Sequence, residues 1–132
     1  MVIDTSAVLA ILKNEPERRS FNEAIEAAER RSLSAASFVE SSIIIESRYG
    51  ADGMRDLDLF IAKAQIELIA VDVEQAHLAR QAFRLFGKGR HPAALNFGDC
   101  FSYALARSLA GALLYKGADF GKCDIESHPA SR

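Results

Sequence analysis

Four acidic residues of this 132-residue chain stand where a fold could bring their carboxylates together. Asp4 follows a short apolar run, and Asp119 comes four residues after a second apolar run, which ends at Tyr115. Asp99 stands at the start of a segment with helical spacing, and Glu40 interrupts an apolar stretch. Two carboxylates about 4 Å apart repel each other by roughly 4 kcal/mol at an effective dielectric constant near 20. A cluster of all four therefore needs a cation.

The cation that such a cluster selects is Mg²⁺ or Mn²⁺, because the ligands are hard oxygens with no His or Cys nearby. Mg²⁺ keeps several of its waters and favours substrates that carry phosphate. One or two such ions activate a bound water and neutralise charge on a leaving oxygen. The acids therefore point to phosphoryl chemistry.

Each acid taken alone also has a simpler explanation. Asp4 and Asp99 are well placed to cap helices, which is the more common role of a single Asp in such a position. Glu40 could be a solvated residue on a helix surface, and Asp119 could stabilise a turn. The sequence leaves these alternatives open for each residue by itself.

The elements that must position the acids alternate between short strands and amphipathic helices. The spacing predicts strands at residues 1–4, around Leu33, at 66–71 and 112–115 and an edge strand at Ile125, and helices after Thr5, from Pro16, and at 35–49 (ended by Gly50), 54–64, 73–86 and 99–109. Parallel strands need crossover connections, which place helices on both faces of the sheet. We predict one α/β domain over residues 1–132, with a short, mainly parallel central sheet flanked by helices on both faces. Ligands of such folds bind beyond the carboxyl ends of the strands.

The composition argues against a global attraction to nucleic acid. Sixteen Lys and Arg residues against eighteen Asp and Glu give a net charge of −2, so any affinity for RNA must be local. The two cysteines form no C-x-x-C motif, and no apolar run is long enough for a signal peptide or a membrane span. We expect a cytoplasmic protein with no membrane contact.

A local basic stripe lies ahead of Asp99. Arg80, Arg84 and Lys88 recur every four residues and lead into Arg90 and His91. Three cations on one helix face most often serve only solvation. Here they precede an acidic motif, and we predict that these five residues contact RNA phosphates.

Three consecutive isoleucines at residues 43–45 give one helix more apolar surface than a single face can bury. The helix is either packed on all sides within the domain or lines an exposed groove.

The chain resembles the PIN-domain ribonucleases, and specifically the VapC toxins of bacterial toxin–antitoxin pairs. The resemblance runs nearly end to end and rests on residues 2–7 (VIDTSA), 37–40 (SFVE), 87–91 (GKGRH) with 95–104 (LNFGDCFSYA), and 113–120 (LLYKGADF). The stretch that contains Asp99 is the most specific of these motifs.

The resemblance implies a divalent-metal-dependent endoribonuclease that acts as a toxin by hydrolysing tRNA, rRNA or mRNA with a metal-activated water. It implies that the catalytic and metal-binding carboxylates are Asp4, Glu40, Asp99 and Asp119. Thr5 or Ser6 would be a polar group beside the metal or the scissile phosphate, and Asn96 would support the ligands. The implied partners are RNA, a VapB-like antitoxin and a second copy of the chain, in a homodimer and a toxin–antitoxin hetero-oligomer.

Two positions depart from the family pattern. Ala118 stands where the family usually has a polar residue, and Cys123 stands where it usually has Thr before the final acid, Asp124. The loss of that hydroxyl puts a ligand role for Asp124 in doubt. Neither departure removes one of the four acids.

Two other function classes compete with the nuclease interpretation. A small Mg²⁺-dependent phosphatase or phospho-acceptor domain also places an Asp after the first strand, but it needs a second Asp where this chain has Ser6. A catalytically inert domain that only binds a partner is the other alternative. Retention of all four acids argues against it.

Overall fold

A computed structural model describes residues 1–131 of the chain. In order, the elements are β1 (Val2–Ile3), α1 (Thr5–Leu12), α2 (Arg18–Ala27), β2 (Ser32–Ser34), α3 (Ala35–Lys63), β3 (Glu67–Ile69), α4 (Val73–Phe86), α5 (Phe97–Leu109) and β4 (Leu113–Leu114), followed by short 3₁₀ turns at Phe120–Lys122 and Pro129–Ser131.

The four strands form one sheet in the order β3-β2-β1-β4, and every pairing is parallel. Val2 pairs with Ser32 on one side and with Leu113 on the other, so β1 lies inside the sheet. Val2 and Ile3 are fully buried, as expected for a parallel strand covered on both faces. The predicted α/β architecture is confirmed.

The two faces of the sheet carry separate hydrophobic cores. Val2 belongs to a core with residues of α4 and α5, including Ala82 and Leu105. Ile3, its neighbour in β1, belongs to a core with residues of α1, α2 and α3, including Phe21. The alternation of side chains along a strand produces this division, and helices therefore cover both faces.

Helix α3 bends at Gly50, where the backbone adopts φ 67° and ψ −153°. Only glycine takes this conformation without strain from a β-carbon. The sequence predicted that one helix ends here and that another begins at Met54. The non-helical backbone at Gly50 confirms the predicted end of the first helix, and the second helix begins directly after Gly50 rather than at Met54.

Four boundaries differ from those that the sequence predicted. Strand β3 is shorter than the predicted 66–71, and α2 begins at Arg18, two residues after Pro16. The predicted edge strand at Ile125 is wrong: a single parallel bridge joins Leu113 to Ser127. Helix α5 begins at Phe97, two residues before the predicted start at Asp99.

Within residues 1–131, no helix is both long and apolar enough to cross a lipid bilayer.

Candidate active site

Asp4 lies at the carboxyl end of β1 and is the N-cap of α1. Its Oδ2 accepts hydrogen bonds from the backbone N–H and the hydroxyl of Ser6, at 2.9 and 2.6 Å. Its Oδ1 accepts a hydrogen bond from the hydroxyl of Ser102 at 2.5 Å. Asp4 is only 3% exposed, so three protein donors fix a carboxylate that water hardly reaches. The capping role that the sequence suggested is real, and it places the side chain at the sheet edge.

Ser6 connects this carboxylate to the loop that follows β4. Its hydroxyl oxygen accepts a hydrogen bond from the backbone N–H of Lys116 at 2.9 Å, while its proton goes to Asp4. The side-chain nitrogen of Lys116 forms ion pairs with Glu15 and, at 3.1 Å, with Glu17. The loop that leads to Asp119 is therefore attached to the start of α1 through Ser6 and to the segment after α1 through Glu15 and Glu17.

Asp99 lies in the first turn of α5, where it forms a capping box with Asn96. The side-chain oxygen of Asn96 accepts a hydrogen bond from the Asp99 N–H at 2.9 Å, and Asp99 Oδ2 accepts one from the Asn96 N–H at 3.0 Å. The sequence predicted that Asp99 opens the helix. Asn96 is the N-cap instead, and the reciprocal bonds hold Asp99 at the start of the helix.

Glu40 reaches from α3 to the backbone of α5. A β-carbon built on Gly98 would lie 2.0 Å from Glu40 Oε2 and 2.6 Å from its Cδ. The carboxylate thus occupies the space that a side chain at position 98 would fill. Because Asp99 is the next residue, this contact brings the carboxyl groups of α3 and α5 to the same edge.

The pKa of Asp99 responds to burial and to the charges of the other three acids. Burial raises the pKa of Asp99 from 3.8 to about 6, the hydrogen bond from Asn96 opposes the rise, and the charges of Asp4, Glu40 and Asp119 add to it. Asp119 is exposed, at the start of the turn Phe120–Lys122. The charges of Asp4, Glu40 and Asp119 thus act on Asp99, and the role of the four acids as one metal site stays a prediction.

The donor chemistry of this edge fits a hard divalent cation. The negative charges of three other carboxylates act on Asp99, and an added divalent charge would oppose their contribution to its raised pKa. Because Gly98 has no side chain, the Glu40 carboxylate can lie directly against the backbone of α5. As the side chains stand, however, no three His, Cys, Asp or Glu residues among residues 1–131 are close enough together to hold a metal ion.

Comparison with known proteins identifies the family. The model of the family described as PIN domain matches residues 1–126. This chain belongs to the PIN-domain family. Ribonucleases of this family depend on divalent metal ions.

Individual relatives of this PIN domain carry ribonuclease names. The chain is 50% identical over 125 residues to the ribonuclease VapC30 of Mycobacterium tuberculosis, and the match covers 95% of each protein. The crystal structure of VapC20 from M. tuberculosis, described as a sarcin-ricin loop cleaving toxin, has a TM-score of 0.76 at 14% identity, with 96% of this chain and 97% of that chain covered. The structure of VapBC2 from Rickettsia felis, bound to a promoter DNA fragment, has a TM-score of 0.76 at 13% identity and covers 96% of each chain. The last two likenesses concern the fold.

Asp124 of this PIN domain has partners of its own. Its Oδ1 accepts a hydrogen bond from the Tyr103 hydroxyl at 2.7 Å, and its Oδ2 lies 3.5 Å from a guanidinium nitrogen of Arg107. These contacts attach the C-terminal segment to α5. Burial raises the pKa of the neighbouring Cys123 thiol to about 11, and the charges of Asp124, Asp99 and Asp119 act in the same direction. Position 123 therefore borders the acids.

The predicted RNA-contacting residues of the PIN domain lie together on α4 and the loop after it. Arg80, Arg84, Lys88 and Arg90 are exposed, and the Arg90 guanidinium lies 5.7 Å from the centre of the Phe83 ring. His91 differs from the other four. Its Nδ1 accepts a hydrogen bond from the Ala93 N–H at 3.0 Å, and its ring packs edge-on against Phe86.

Arg80 also borders an open groove of about 470 Å³ between α4 and α5. The other lining residues are Ala76, Ala79, Phe83, Phe97, Cys100 and Phe101. Phe97 is 79% exposed and is two residues from Asp99. This apolar groove therefore begins beside the acidic edge of the PIN domain.

The isoleucine segment of α3 divides between the interior and the surface. Ile45 is buried, whereas Ile43 and Val39, one turn apart, are more than half exposed. Both alternatives from the sequence are thus partly correct, because α3 packs along one face and leaves an apolar strip on the other.

Sequence reasoning missed two residues at this site, Ser37 and Ser102. Both are buried, and both lie in the hydrogen-bonded network that ends on Asp4. A signal was present, because Ser37 is three residues before Glu40 and Ser102 three residues after Asp99. That spacing puts each serine on the same helix face as an acid.

Proposed function

We propose that this chain is a divalent-metal-dependent endoribonuclease that acts as the toxin of a toxin–antitoxin pair. The observation that carries the proposal is the contact of the Glu40 carboxylate with Gly98, which places Glu40 beside Asp99 at the start of α5. The proposal gains support from the 50% identity to a protein named ribonuclease VapC30.

The four acids would hold Mg²⁺ or Mn²⁺, the ions that prefer carboxylate oxygens and tolerate bound phosphate. When bound, the ion would supply an activated water and charge neutralisation at the phosphodiester. Asp4 enters this set already oriented by Ser6. Asp99 is held in the first turn of α5 by its capping partner Asn96.

The chain's hydroxyl and amide groups have supporting roles in this proposal. The Ser6 hydroxyl donates to the Asp4 carboxylate and accepts from the backbone N–H of Lys116. It therefore fixes the position of the loop that leads to Asp119 relative to the end of β1. Thr5 is 6% exposed and lies 3.4 Å from the backbone oxygen of Ser37, to which it donates. We therefore assign Thr5 to the support of α3 rather than to phosphate contact.

RNA would approach across α4 and the loop that follows it. Arg80, Arg84, Lys88 and Arg90 are the exposed cations of this path, and they offset the acidic edge next to them by local charge. His91 contributes mainly by shaping the loop, since its ring nitrogen and ring face are occupied by Ala93 and Phe86.

The proposed protein partners are an antitoxin and a second copy of the chain. A solved structure described as a toxin-antitoxin complex from Klebsiella pneumoniae, with a TM-score of 0.70 at 15% identity, supports the antitoxin. The exposed strip of Val39 and Ile43 supplies apolar surface for such contacts. We propose that residues 1–132 act as one domain, in the cytoplasm, where the RNA substrates are.

The test is cleavage of structured and single-stranded RNAs by the purified protein with Mg²⁺, with Mn²⁺ and with EDTA. We expect metal-dependent cleavage that Asp99→Asn abolishes and that Asp52→Asn leaves unchanged, because Asp52 is an exposed helix residue paired with Arg55. Absence of metal-dependent cleavage, or undiminished cleavage by Asp99→Asn, would overturn the proposal. Hydrolysis of a generic phosphate monoester would favour the phosphatase class instead.

A further inference from the structure

Two buried serine hydroxyls form a short relay that ends on Asp4. The Ser102 hydroxyl donates to Asp4 Oδ1 at 2.5 Å, and the Ser37 hydroxyl oxygen lies 3.2 Å from that of Ser102. Ser102 is fully buried and Ser37 is 1% exposed. Both hydroxyls are therefore shielded from bulk solvent, and each is held by a contact with another protein group.

The direction of the relay follows from counting protons. A serine hydroxyl has one proton to donate, and that of Ser102 goes to Asp4. The proton between the two serines must then come from Ser37, which donates to Ser102. Hydrogen bonds in such a chain polarise one another, so the bond that reaches Asp4 is strengthened by the one behind it.

The relay joins the three elements that carry three of the acids. Ser37 lies one turn before Glu40 on α3 and contacts Ser102, which lies one turn after Asp99 on α5. Ser102 in turn contacts Asp4 at the carboxyl end of β1. A change in the relative position of α3, α5 and β1 would break one of these bonds. The relay therefore fixes the spacing among the acids, which no single helix cap does.

The relay also limits how Asp4 can bind a cation. A carboxylate has about four acceptor sites. Two of those on Asp4 are taken by Ser6 and a third by Ser102. About one site is left for a metal ion, so Asp4 would bind through one oxygen and not as a chelate of two.

We propose that Ser102, supported by Ser37, is a positioning residue that orients Asp4 for single-oxygen binding of the divalent cation. This inference rests on the proposed function, since it assigns a role toward the cation. Ser102 touches neither the cation nor RNA, and it acts only through Asp4. Outer hydrogen-bond partners of metal ligands typically change metal affinity or activity 10- to 100-fold.

The experiment compares Mn²⁺ binding by calorimetry, and RNA kcat and KM, in Ser102→Ala, Ser37→Ala and the double variant. We expect Ser102→Ala to weaken Mn²⁺ binding at least about ten-fold and to lower kcat with KM for RNA unchanged. Ser37→Ala should act in the same direction but less strongly. In the Ser102→Ala background, Ser37→Ala should add nothing to the loss of Mn²⁺ affinity, because its effect passes through the missing hydroxyl.

The matched control is Ser41→Ala. Ser41 is as buried as Ser102, and its hydroxyl has no hydrogen-bond partner within the described residues, so its removal should leave Mn²⁺ affinity and kcat unchanged.

Equal Mn²⁺ affinity in Ser102→Ala, Ser41→Ala and the parent chain would overturn the positioning role while leaving the nuclease intact. Additive effects of the two relay variants would overturn it as well. If Ser102→Ala does not fold, an unchanged Mn²⁺ affinity in Ser37→Ala would overturn the relay. A parent chain that neither binds Mn²⁺ nor cuts RNA would instead overturn the proposed function.

Discussion

The carboxylate of Glu40 occupies the space in which any residue other than glycine at position 98 would place its β-carbon. This contact between α3 and the first turn of α5 brings two of the four acids together. A glycine at a helix start is usually explained by backbone freedom, but here the missing side chain is what matters.

The substitution Gly98→Ala should therefore lower RNA cleavage without preventing folding. The new methyl group would meet Glu40 Oε2 at 2.0 Å, and the flexible Glu40 side chain must rotate away. Thermal unfolding should change little, because a misplaced side chain at the end of a helix costs less than a core cavity. Cleavage assays and melting curves should be compared with those of Gly111→Ala, where the nearest atom lies 4.0 Å from the new β-carbon. Full activity in Gly98→Ala would show that the position of Glu40 is unimportant.

Asp99→Asn should stabilise the metal-free protein, and more so at neutral than at acidic pH. The pKa of Asp99 is about 6 in the folded chain, raised from 3.8, so the folded state binds more protons than the unfolded state between these values. Stability then falls as pH rises through this window, and the penalty is complete only at a pH well above the folded pKa of about 6. Asparagine has no such penalty. Melting temperatures in EDTA at pH 4.5 and 7.5 measure the effect, and an equal difference between variant and parent at both pH values would contradict it.

Addition of Mn²⁺ at pH 7.5 should raise the melting temperature of the parent chain and not that of Asp99→Asn. A ligand that binds only the folded state at a hundred times its Kd adds about 2.7 kcal/mol to the free energy of unfolding. Below pH 6 the shift should shrink, because protons then compete for Asp99. Differential scanning fluorimetry with Asp52→Asn as the charge-matched control measures it. A Mn²⁺ shift of equal size in Asp99→Asn would place the ion elsewhere.

Tyr103→Phe should destabilise the protein and spare catalysis. The Tyr103 hydroxyl donates to Asp124 at 2.7 Å, and burial together with that bond raises its pKa, so it stays a donor at every working pH. Loss of the bond should lower the free energy of unfolding by about 1 kcal/mol. Urea unfolding measures this loss. RNA cleavage that fell in proportion to a Mn²⁺ affinity loss would instead assign Asp124 to the metal site.

Replacement of Arg80 and Arg84 by Gln should weaken RNA binding and flatten its salt dependence. Each phosphate contact to single-stranded nucleic acid contributes about 0.7 to the slope of log K against log salt. Titrations of RNA with the Asp99→Asn protein, at several salt concentrations, measure the slope without cleavage. Arg19→Gln is the control, because Arg19 lies on α2 and is paired with Glu23. An unchanged slope would remove α4 from the RNA path.

Local sequence patterns predicted much of the fold, and they failed where long-range contacts decide. The apolar strand at the start of the chain and the helix at 73–86 depend on neighbouring residues, and both are found where the sequence predicted them. Asp72 caps that helix and Gly87 follows its end. The edge strand at Ile125 is wrong because the segment makes only one ladder contact, between Leu113 and Ser127. A single residue pair of this kind leaves no periodic trace in the sequence.

The candidate site divides in the same way. The acids were visible because four carboxylates beside apolar segments are unusual, and their roles as metal ligands stay predictions. The relay serines were not noticed, because Ser37 and Ser102 matter only through contacts separated by 65 residues in the chain. The spacing of three residues from Glu40 and Asp99 is the one local clue.

The capping box of Asn96 and Asp99 tolerates the exchange of Asp99 for asparagine. The side-chain oxygen of asparagine accepts the same hydrogen bond from the Asn96 N–H that Asp99 Oδ2 accepts, so the start of α5 survives the exchange. Aspartate and asparagine codons differ by one base. Under the proposed role of Asp99, a single transition in its codon would therefore silence the nuclease and leave a product that still folds.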